Sequence, residues 1–220
     1  MNNILSSLIL LTIIFNVILI FFDELSLSII TISSILCFLL CYLKNQFLTY
    51  KCKNKIKLAQ SDIYVAPFEV IRTRGAFATK DYVIFEEGFY NELDDKKRRA
   101  IVFHEKYHIK HKHSIIKCLF WCVFLWNGLC LMSNQHGLYD ILLLILWYAT
   151  YFIFMCYSEY NADAYSADEN NVEDIISVLE YLKKDYENIR QTNSIYFFIN
   201  QMPSLESRIN RLYTKRGHSV

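Results

Sequence analysis

The chain has 220 residues, and its formal net charge of +1 excludes a strongly basic protein that binds nucleic acid through its overall charge. Hydrophobic residues make up 54% of it, and the mean hydropathy is positive, at +0.18. This composition is too apolar for an ordinary soluble domain, so we expect an integral membrane protein.

Two uncharged apolar segments open the chain, at residues 4–22 and 25–43, with Asp23 and Glu24 between them. As a helix, each segment is long enough to cross the ~30 Å hydrocarbon core of a bilayer. A cleaved signal peptide is the alternative for the first segment, but no basic region precedes it and no small-residue cleavage site follows it. We therefore predict a transmembrane hairpin over residues 1–43.

Short alternating runs that are typical of β-strands occupy residues 62–85. They predict strands at Asp62–Ala66 (DIYVA), Glu69–Thr73 (EVIRT) and Asp81–Phe85 (DYVIF), with a turn at Arg74–Gly75. An exposed edge of this sheet could hold an extended substrate peptide through backbone hydrogen bonds. The alternative is a small sheet that only packs against the helix that follows it.

The stretch FHEKYHIKHKH, residues 103–113, contains the pattern His104-Glu105-x-x-His108. A chance match is expected in roughly one such chain in a hundred, so the motif needs support from its context. On a helix, two histidines four residues apart share one face and can bind the same metal ion. Glu105 then lies beside them, where a carboxylate can act as a general base.

The motif helix is predicted to begin at Asp94 or Asp95, either of which can cap it, and Ile101 lies on the stripe of the motif histidines. The last two histidines of the stretch, His111 and His113, alternate with lysines. They could bind metal or belong to a solvated basic surface near anionic lipid headgroups. The alternation with lysine favours the basic surface.

A second apolar pair follows at residues 115–132 and 139–157, joined by a short link. All 23 Lys and Arg residues lie within 44–117 or 183–216, so neither hairpin link contains one. Because cytoplasmic loops are enriched in basic residues, both termini and the whole segment between the hairpins are predicted to face the cytoplasm. Membrane lipids are therefore one predicted partner.

Glu159 and Asp163 follow the second hairpin and are candidates for completing the site. A catalytic zinc ion keeps three protein ligands and one open position. Glu159 could supply the third ligand, and Asp163, one turn further on, could accept the free N–H of a ligand histidine. Two membrane crossings separate His108 from Glu159, which returns the chain to the same side. Ala162 and Ala164 leave room for two helices to approach.

The segment after these acids, residues 171–189, has an apolar stripe at helical spacing. The stripe consists of Ile175, Val178, Leu179 and Leu182. It predicts an amphipathic helix with a structural role, closing the site from one side.

A family resemblance rests on two motifs that occur together. They are His104-Glu105-x-x-His108 and, after the predicted membrane hairpin, Glu159-Tyr-Asn-Ala-Asp163. They resemble the paired motifs of the HtpX-like integral membrane zinc metallopeptidases and of the related protease domain of beta-lactam sensor-transducers. Both groups are gluzincins, in which two histidines and one glutamate bind zinc.

The resemblance extends beyond the two motifs, over about residues 60–215. Residues 75–105 are similar to the strand, turn and helix that precede the site in this family, and residues 203–212 to its closing Pro-x-x-x-x-Arg-Ile segment. Met202 stands where HtpX-like chains often have histidine. The stretch after the first motif is closer to the sensor-transducers. Two residues inside that motif also depart from the HtpX-type pattern: Lys106 and Tyr107.

By this resemblance, one zinc ion per chain would be bound by His104, His108 and Glu159. Glu105 would activate water, and Asp163 would support the site. Arg208 stands at the family-like Arg position and is the candidate for stabilising the oxyanion of the reaction. The alternative for Arg208 is a surface ion pair within its helix.

The predicted fold is mainly α and integral to the membrane, with four transmembrane helices and a cytoplasmic gluzincin-type α+β domain that combines a small sheet with the active-site helices. The hairpins are residues 1–43 and 115–157. Residues 44–114, with the strands and the motif helix, and residues 158–220, with the C-terminal helices, are predicted to form one catalytic domain.

The resemblance implies a zinc metalloendopeptidase of the bacterial inner membrane, with its active site in the cytoplasm. It would hydrolyse peptide bonds of membrane or membrane-proximal proteins by a zinc-activated water. One alternative is a signal-transducing protease of the beta-lactam sensor type that cleaves a cytoplasmic repressor. The external links are too short for a sensor domain, so this alternative needs a separate sensor or regulator subunit.

The other alternative is a non-catalytic membrane scaffold in which a metal only ties two helices together. Structural zinc sites close their coordination shell with protein ligands. Such a site has no need for Glu105 beside the ligands, which favours the enzyme.

Overall fold

In this computed structural model the described residues are 52, 54–59, 61–71, 74–79, 81–132, 138–190 and 203–217. The first predicted hairpin, residues 1–43, lies outside them. The described residues fall into two compact units. We call residues 115–132 and 138–154 the apolar unit, and the described residues within 45–114 and 155–220 the sheet unit.

The sheet unit contains a four-stranded mixed sheet. Its strands are β1 (Asn54–Leu58), β2 (Ser61–Ala66), β3 (Ala76–Ala78) and β4 (Val83–Glu86). Their spatial order is β1-β2-β4-β3. The central pair, β2 and β4, is parallel, and each edge strand is antiparallel to its neighbour. Strands β1 and β3 therefore form the edges of the sheet.

The predicted strands at β2 and β4 are confirmed, but the predicted strand at Glu69–Thr73 is wrong. Residues Phe68–Ile71 form one helical turn, α1. Pro67 precedes it, and the Val70 N–H donates to the Pro67 carbonyl at 3.0 Å. A proline suits the start of a helix because its φ angle is already helical. The predicted turn falls on a bend at residues 74–75, where Gly75 has φ +135°, a conformation that favours glycine.

The motif helix is confirmed as α3 (Asp95–Lys110), which follows the short α2 (Glu87–Glu92). Asp94 caps it, because its carboxylate accepts the Lys97 N–H at 2.9 Å. The helix ends at Lys110, and the C-cap residue His111 donates its N–H back to the Tyr107 carbonyl. Lys112 then adopts a left-handed φ of +54°, and a new helix, α4 (His113–Met132), begins at once.

The remaining helices are α5 (Leu138–Glu169), α6 (Val172–Arg190) and α7 (Leu205–Gly217). The amphipathic stripe predicted for residues 171–189 is confirmed on α6. Ile175, Val178 and Leu179 are almost fully buried, and Leu182 packs against them. They share one core with the sheet, α3 and α7. Each fully buried aliphatic side chain stabilises such a core by about 1.5–3 kcal/mol relative to exposure.

Two small residues of α5, Ala162 and Ser166, are buried within the sheet unit. Ala162 is completely buried. One turn further along α5, the buried Ser166 hydroxyl donates to the Ala100 carbonyl on α3 at 2.7 Å. This bond crosses from one helix to the other, so it fixes how the acidic motif on α5 faces the histidines on α3.

The apolar unit consists of parts of α4 and α5. Trp147 and Phe120 pack with ring centroids 4.9 Å apart, and the Trp147 indole N–H donates to the Phe120 carbonyl. Other large apolar side chains here are exposed, among them Leu119, Leu142 and Ile145. Within the described residues, Ile141–Glu169 is long and apolar enough to span a membrane. The fold is thus mainly helical with a small mixed sheet, and the four-span topology stays a prediction.

Candidate metal centre

His104 and His108 lie one turn apart on α3 and face Glu159 on α5. The two Nε2 atoms are 3.1 Å apart. Glu159 Oε2 is 3.4 Å from Nε2 of His104, and Oε1 is 3.5 Å from Nε2 of His108. The side chains are only 9%, 7% and 14% exposed, in the order His104, His108, Glu159. In the part of the chain that the structure describes, this is the group of donors that could hold a metal ion.

The spacing of the two nitrogens and the Glu159 carboxylate suits a tetrahedral zinc ion. Zinc binds imidazole nitrogen and carboxylate oxygen at about 2.0–2.2 Å, so two of its tetrahedral ligands lie about 3.4 Å apart. The two nitrogens are 3.1 Å apart, and each lies 3.4 or 3.5 Å from a different oxygen of Glu159, which is close to that value. Three protein donors also leave a fourth position open, as catalytic sites do and structural sites do not.

Asp163, one turn beyond Glu159, lies behind the first histidine. Its side chain is 2% exposed, and Oδ1 is 2.9 Å from Nδ1 of His104. Burial by itself lowers the pKa of His104, but the carboxylates of Asp163 and Glu159 outweigh it and raise the pKa to about 9. The cluster therefore favours a positive charge at this imidazole.

Arg208 on α7 pairs with the acidic residues of the cluster. Its Nε and Nη2 atoms donate to the two oxygens of Asp163 at 2.7 and 2.6 Å, a bidentate pair. Its Nη1 lies 3.3 Å from Oε2 of Glu159. The side chain is 13% exposed, so the alternative of a surface ion pair is wrong. Burial by itself lowers the pKa of this guanidinium, but the carboxylates of Asp163, Glu159 and Glu105 raise it above its ordinary value.

Glu105 is half-buried on α3 beside the first histidine. Its charge contributes to raising the pKa of the Arg208 guanidinium. With Glu159 and Asp163, three carboxylates thus act on one guanidinium. This excess of negative charge is what a divalent cation would balance.

The two later histidines of the stretch differ from each other. His111 is exposed, as predicted, and its Nδ1 lies 2.9 Å from the Tyr107 carbonyl. The prediction that His113 belongs to a solvated surface is wrong, because this residue is only 5% exposed. Its Nδ1 lies 2.7 Å from Nδ1 of His108. The left-handed Lys112 is the physical reason, since it starts a new helix and turns position 113 back towards α3.

The structure thus brings five of the six predicted site residues into direct mutual contact: His104, His108, Glu159, Asp163 and Arg208. The sixth, Glu105, acts on the cluster through its charge. His113 is the polar neighbour that sequence reasoning missed. A histidine directly after a helix break was the available signal, but no glycine marks that break.

One family model matches this chain, that of peptidase family M48, over residues 42–215. The match covers most of the chain and includes every residue of the cluster. No curated protein and no solved structure matches it.

Proposed function

The chain belongs to peptidase family M48 and is therefore a metallopeptidase with protein or peptide substrates, and we propose that it is a membrane-bound, HtpX-like zinc metalloendopeptidase. The observation that carries this proposal is a buried group of two imidazole nitrogens 3.1 Å apart and the Glu159 carboxylate, whose two oxygens lie 3.4 and 3.5 Å from them. Their spacing suits a tetrahedral ion, and Glu105 stands beside them. A scaffold that only binds metal would need no such carboxylate.

His104, His108 and Glu159 would hold the zinc. Bound there, zinc would act as a Lewis acid that polarises the scissile carbonyl and makes a water molecule acidic near neutral pH. The chain's own contribution is to fix two imidazole rings and one carboxylate before the metal arrives. Asp163 orients His104 from behind, because it lies 2.9 Å from the nitrogen that faces away from Glu159.

Glu105 is the group that we propose to move the proton. A half-buried carboxylate beside the ligands can take a proton from the attacking water and pass it to the leaving amine. Arg208 supports the charge that develops on the substrate carbonyl. Two of its nitrogens are held by Asp163, so the guanidinium is rigid, and its third nitrogen lies on the ligand side, 3.3 Å from Glu159.

The edge strand β3 is the proposed substrate platform. It pairs with β4 on one side, no described strand pairs with its other side, and it packs against the motif helix. A peptide added there in extended form would bind through backbone hydrogen bonds, which tolerate many sequences. This suits a protease that acts on unfolded membrane or membrane-proximal proteins.

The proposed location is a bacterial inner membrane, crossed several times, with the active site and both termini in the cytoplasm. The apolar helix Ile141–Glu169 supports a membrane location, and so do the exposed Leu142 and Ile145. The absence of Lys and Arg from both hairpin links supports the orientation.

The test is proteolysis by the full chain, purified in detergent, with an unfolded membrane protein as substrate. Glu105→Gln should keep its zinc, measured by elemental analysis, and lose at least about 100-fold in cleavage rate, since general acid-base catalysis is worth that much or more. Glu206→Gln makes the same change at an exposed carboxylate on α7 and should cleave like wild type. Wild-type cleavage by Glu105→Gln would contradict the proposal.

A further inference from the structure

The two ring nitrogens of His108 face different groups. Its Nε2 faces the proposed metal position, near Nε2 of His104 and Oε1 of Glu159. Its Nδ1 lies 2.7 Å from Nδ1 of His113, which is 5% exposed. At that distance one nitrogen must donate a proton and the other must accept it.

Metal binding by His108 decides which nitrogen donates. A histidine that binds a metal through Nε2 carries its proton on Nδ1, and that N–H usually donates to a carboxylate, a carbonyl or water. For His104 the group behind the ring is Asp163. For His108 it is the neutral ring of His113, which must accept on Nδ1 and therefore carry its own proton on Nε2.

The backbone holds His113 in this place. On one continuous helix, positions 108 and 113 would lie about 140° apart around the axis and could not face each other. The chain avoids this by ending α3 at Lys110, with His111 as its C-cap, and placing Lys112 at φ +54°. The Tyr107 ring packs edge-on against the His113 ring, with centroids 5.5 Å apart, and limits its rotation.

His113 is not placed to bind the metal itself. Its Nδ1 points at the far side of the His108 ring, away from the Nε2 atom that faces the cluster. The group of donors that could hold an ion comprises His104, His108 and Glu159 and does not include it. A role through His108 is what the contact allows.

We propose that His113 is a positioning residue, which accepts the His108 Nδ1–H and so fixes the tautomer and the orientation of that ring for metal binding. This inference rests on the proposed function, since it needs a metal at His108 Nε2. It also makes the two ligand histidines unequal, because one has a carboxylate behind it and the other has a neutral imidazole.

The test is the zinc dissociation constant of the full chain in detergent, measured by competition with a chromophoric chelator. His113→Leu keeps the bulk but removes the acceptor, and should weaken zinc binding about 10- to 100-fold. His113→Asn places a carbonyl oxygen near the former Nδ1 position and should restore most of the affinity. His111→Leu is the matched control and should bind zinc like wild type, because that exposed ring lies against a carbonyl of its own helix.

Folded His113→Leu that binds zinc as tightly as wild type would overturn this inference and leave the proposed function intact. Wild type that binds no zinc would overturn both. If His113→Leu fails to fold, the test is nitrogen-15 NMR of zinc-loaded wild type labelled at histidine, which shows which ring nitrogen of His113 carries the proton. A proton on Nε2 of His113 is the expected result, and a proton on its Nδ1 would refute the proposal.

Discussion

The two halves of helix α5 differ in which side chains they expose and which they bury. Residues 141–154 expose large apolar groups such as Leu142 and Ile145, which are 54% and 61% exposed. Residues 155–169 instead bury polar and charged groups, with Asp163 and Ser166 at 1% and 0%. The apolar half is suited to lipid, and the polar half carries chemistry whose charges are satisfied by one another.

Four predictions test this contrast between the halves of α5. Substitutions of the buried polar groups should have large effects that decrease from the ligand outward, and substitutions of the exposed apolar groups should have almost none.

The largest effect is expected for Glu159→Ala. Loss of this carboxylate leaves two histidine ligands and removes one of the two acids in direct contact with Arg208. Zinc should be lost and cleavage of an unfolded membrane protein should fall by at least about 100-fold, because a catalytic zinc needs three protein ligands. Glu169→Ala, at the end of the same helix, is the control. Zinc retained at the wild-type level in Glu159→Ala would remove Glu159 from the ligand set.

Asp163→Asn should have the second largest effect. The change removes the charge of a bidentate partner of the buried Arg208 and leaves Glu159 as the acid in contact with it, which costs about 3 kcal/mol. It also weakens the support of His104, so zinc affinity should fall about 10- to 100-fold. Thermal unfolding and chelator competition measure the two losses.

Asp168→Asn is the matched control for this prediction, since Asp168 lies on the same helix but is 67% exposed in its pair with Lys215. Its loss should cost at most about 1 kcal/mol. Equal losses of stability in Asp163→Asn and Asp168→Asn would mean that the buried ion pair stabilises the fold no more than the exposed one.

Ser166→Ala should have a moderate effect. It removes the buried hydrogen bond to the Ala100 carbonyl and should lower the free energy of unfolding by about 0.5–1.5 kcal/mol. The control is Ser177→Ala, whose half-buried hydroxyl donates only to a carbonyl of its own helix. A larger effect for Ser177→Ala would contradict the assignment of the Ser166 bond to helix pairing.

The smallest effect is expected for Ile145→Ala in the apolar half. Because this side chain is 61% exposed, the free energy of unfolding in detergent should change by less than about 0.5 kcal/mol. Trp147→Ala, at a position 5% exposed on the same half, should be far more costly. If the two substitutions are equally destabilising, the exposed face packs against protein, and the contrast between the halves fails.

Local patterns were enough to predict much of the sheet unit. The alternation in β2 and β4, the cap at Asp94 and the stripe on α6 all depend on neighbouring residues, and each is present. Strand β1 was not predicted, because its lysine-rich sequence, NKIKL, has only two apolar positions. The run at Glu69–Thr73 has the composition of a strand, but both neighbours of β2 in the sheet are other strands.

The candidate site likewise combines features that local sequence patterns predict with features that they do not. The pairing of His104 with His108 is local, since it needs only one helical turn. Arg208 reaches the cluster from a different helix, and family resemblance was the only guide to it. The burial of His113 depends on a left-handed lysine, a backbone conformation that its side chain does not favour and that sequence patterns do not reveal.

The central claim concerns the identity of the metal donors, and X-ray absorption at the zinc edge of the purified, zinc-loaded chain tests it most directly. We predict a shell of nitrogen and oxygen at about 2.0–2.2 Å that includes two imidazole rings, with no sulfur. Cys156 lies one turn before Glu159 on α5 and offers the nearest contrasting donor along that helix. Sulfur at about 2.3 Å, or a chain that binds no zinc, would contradict the account.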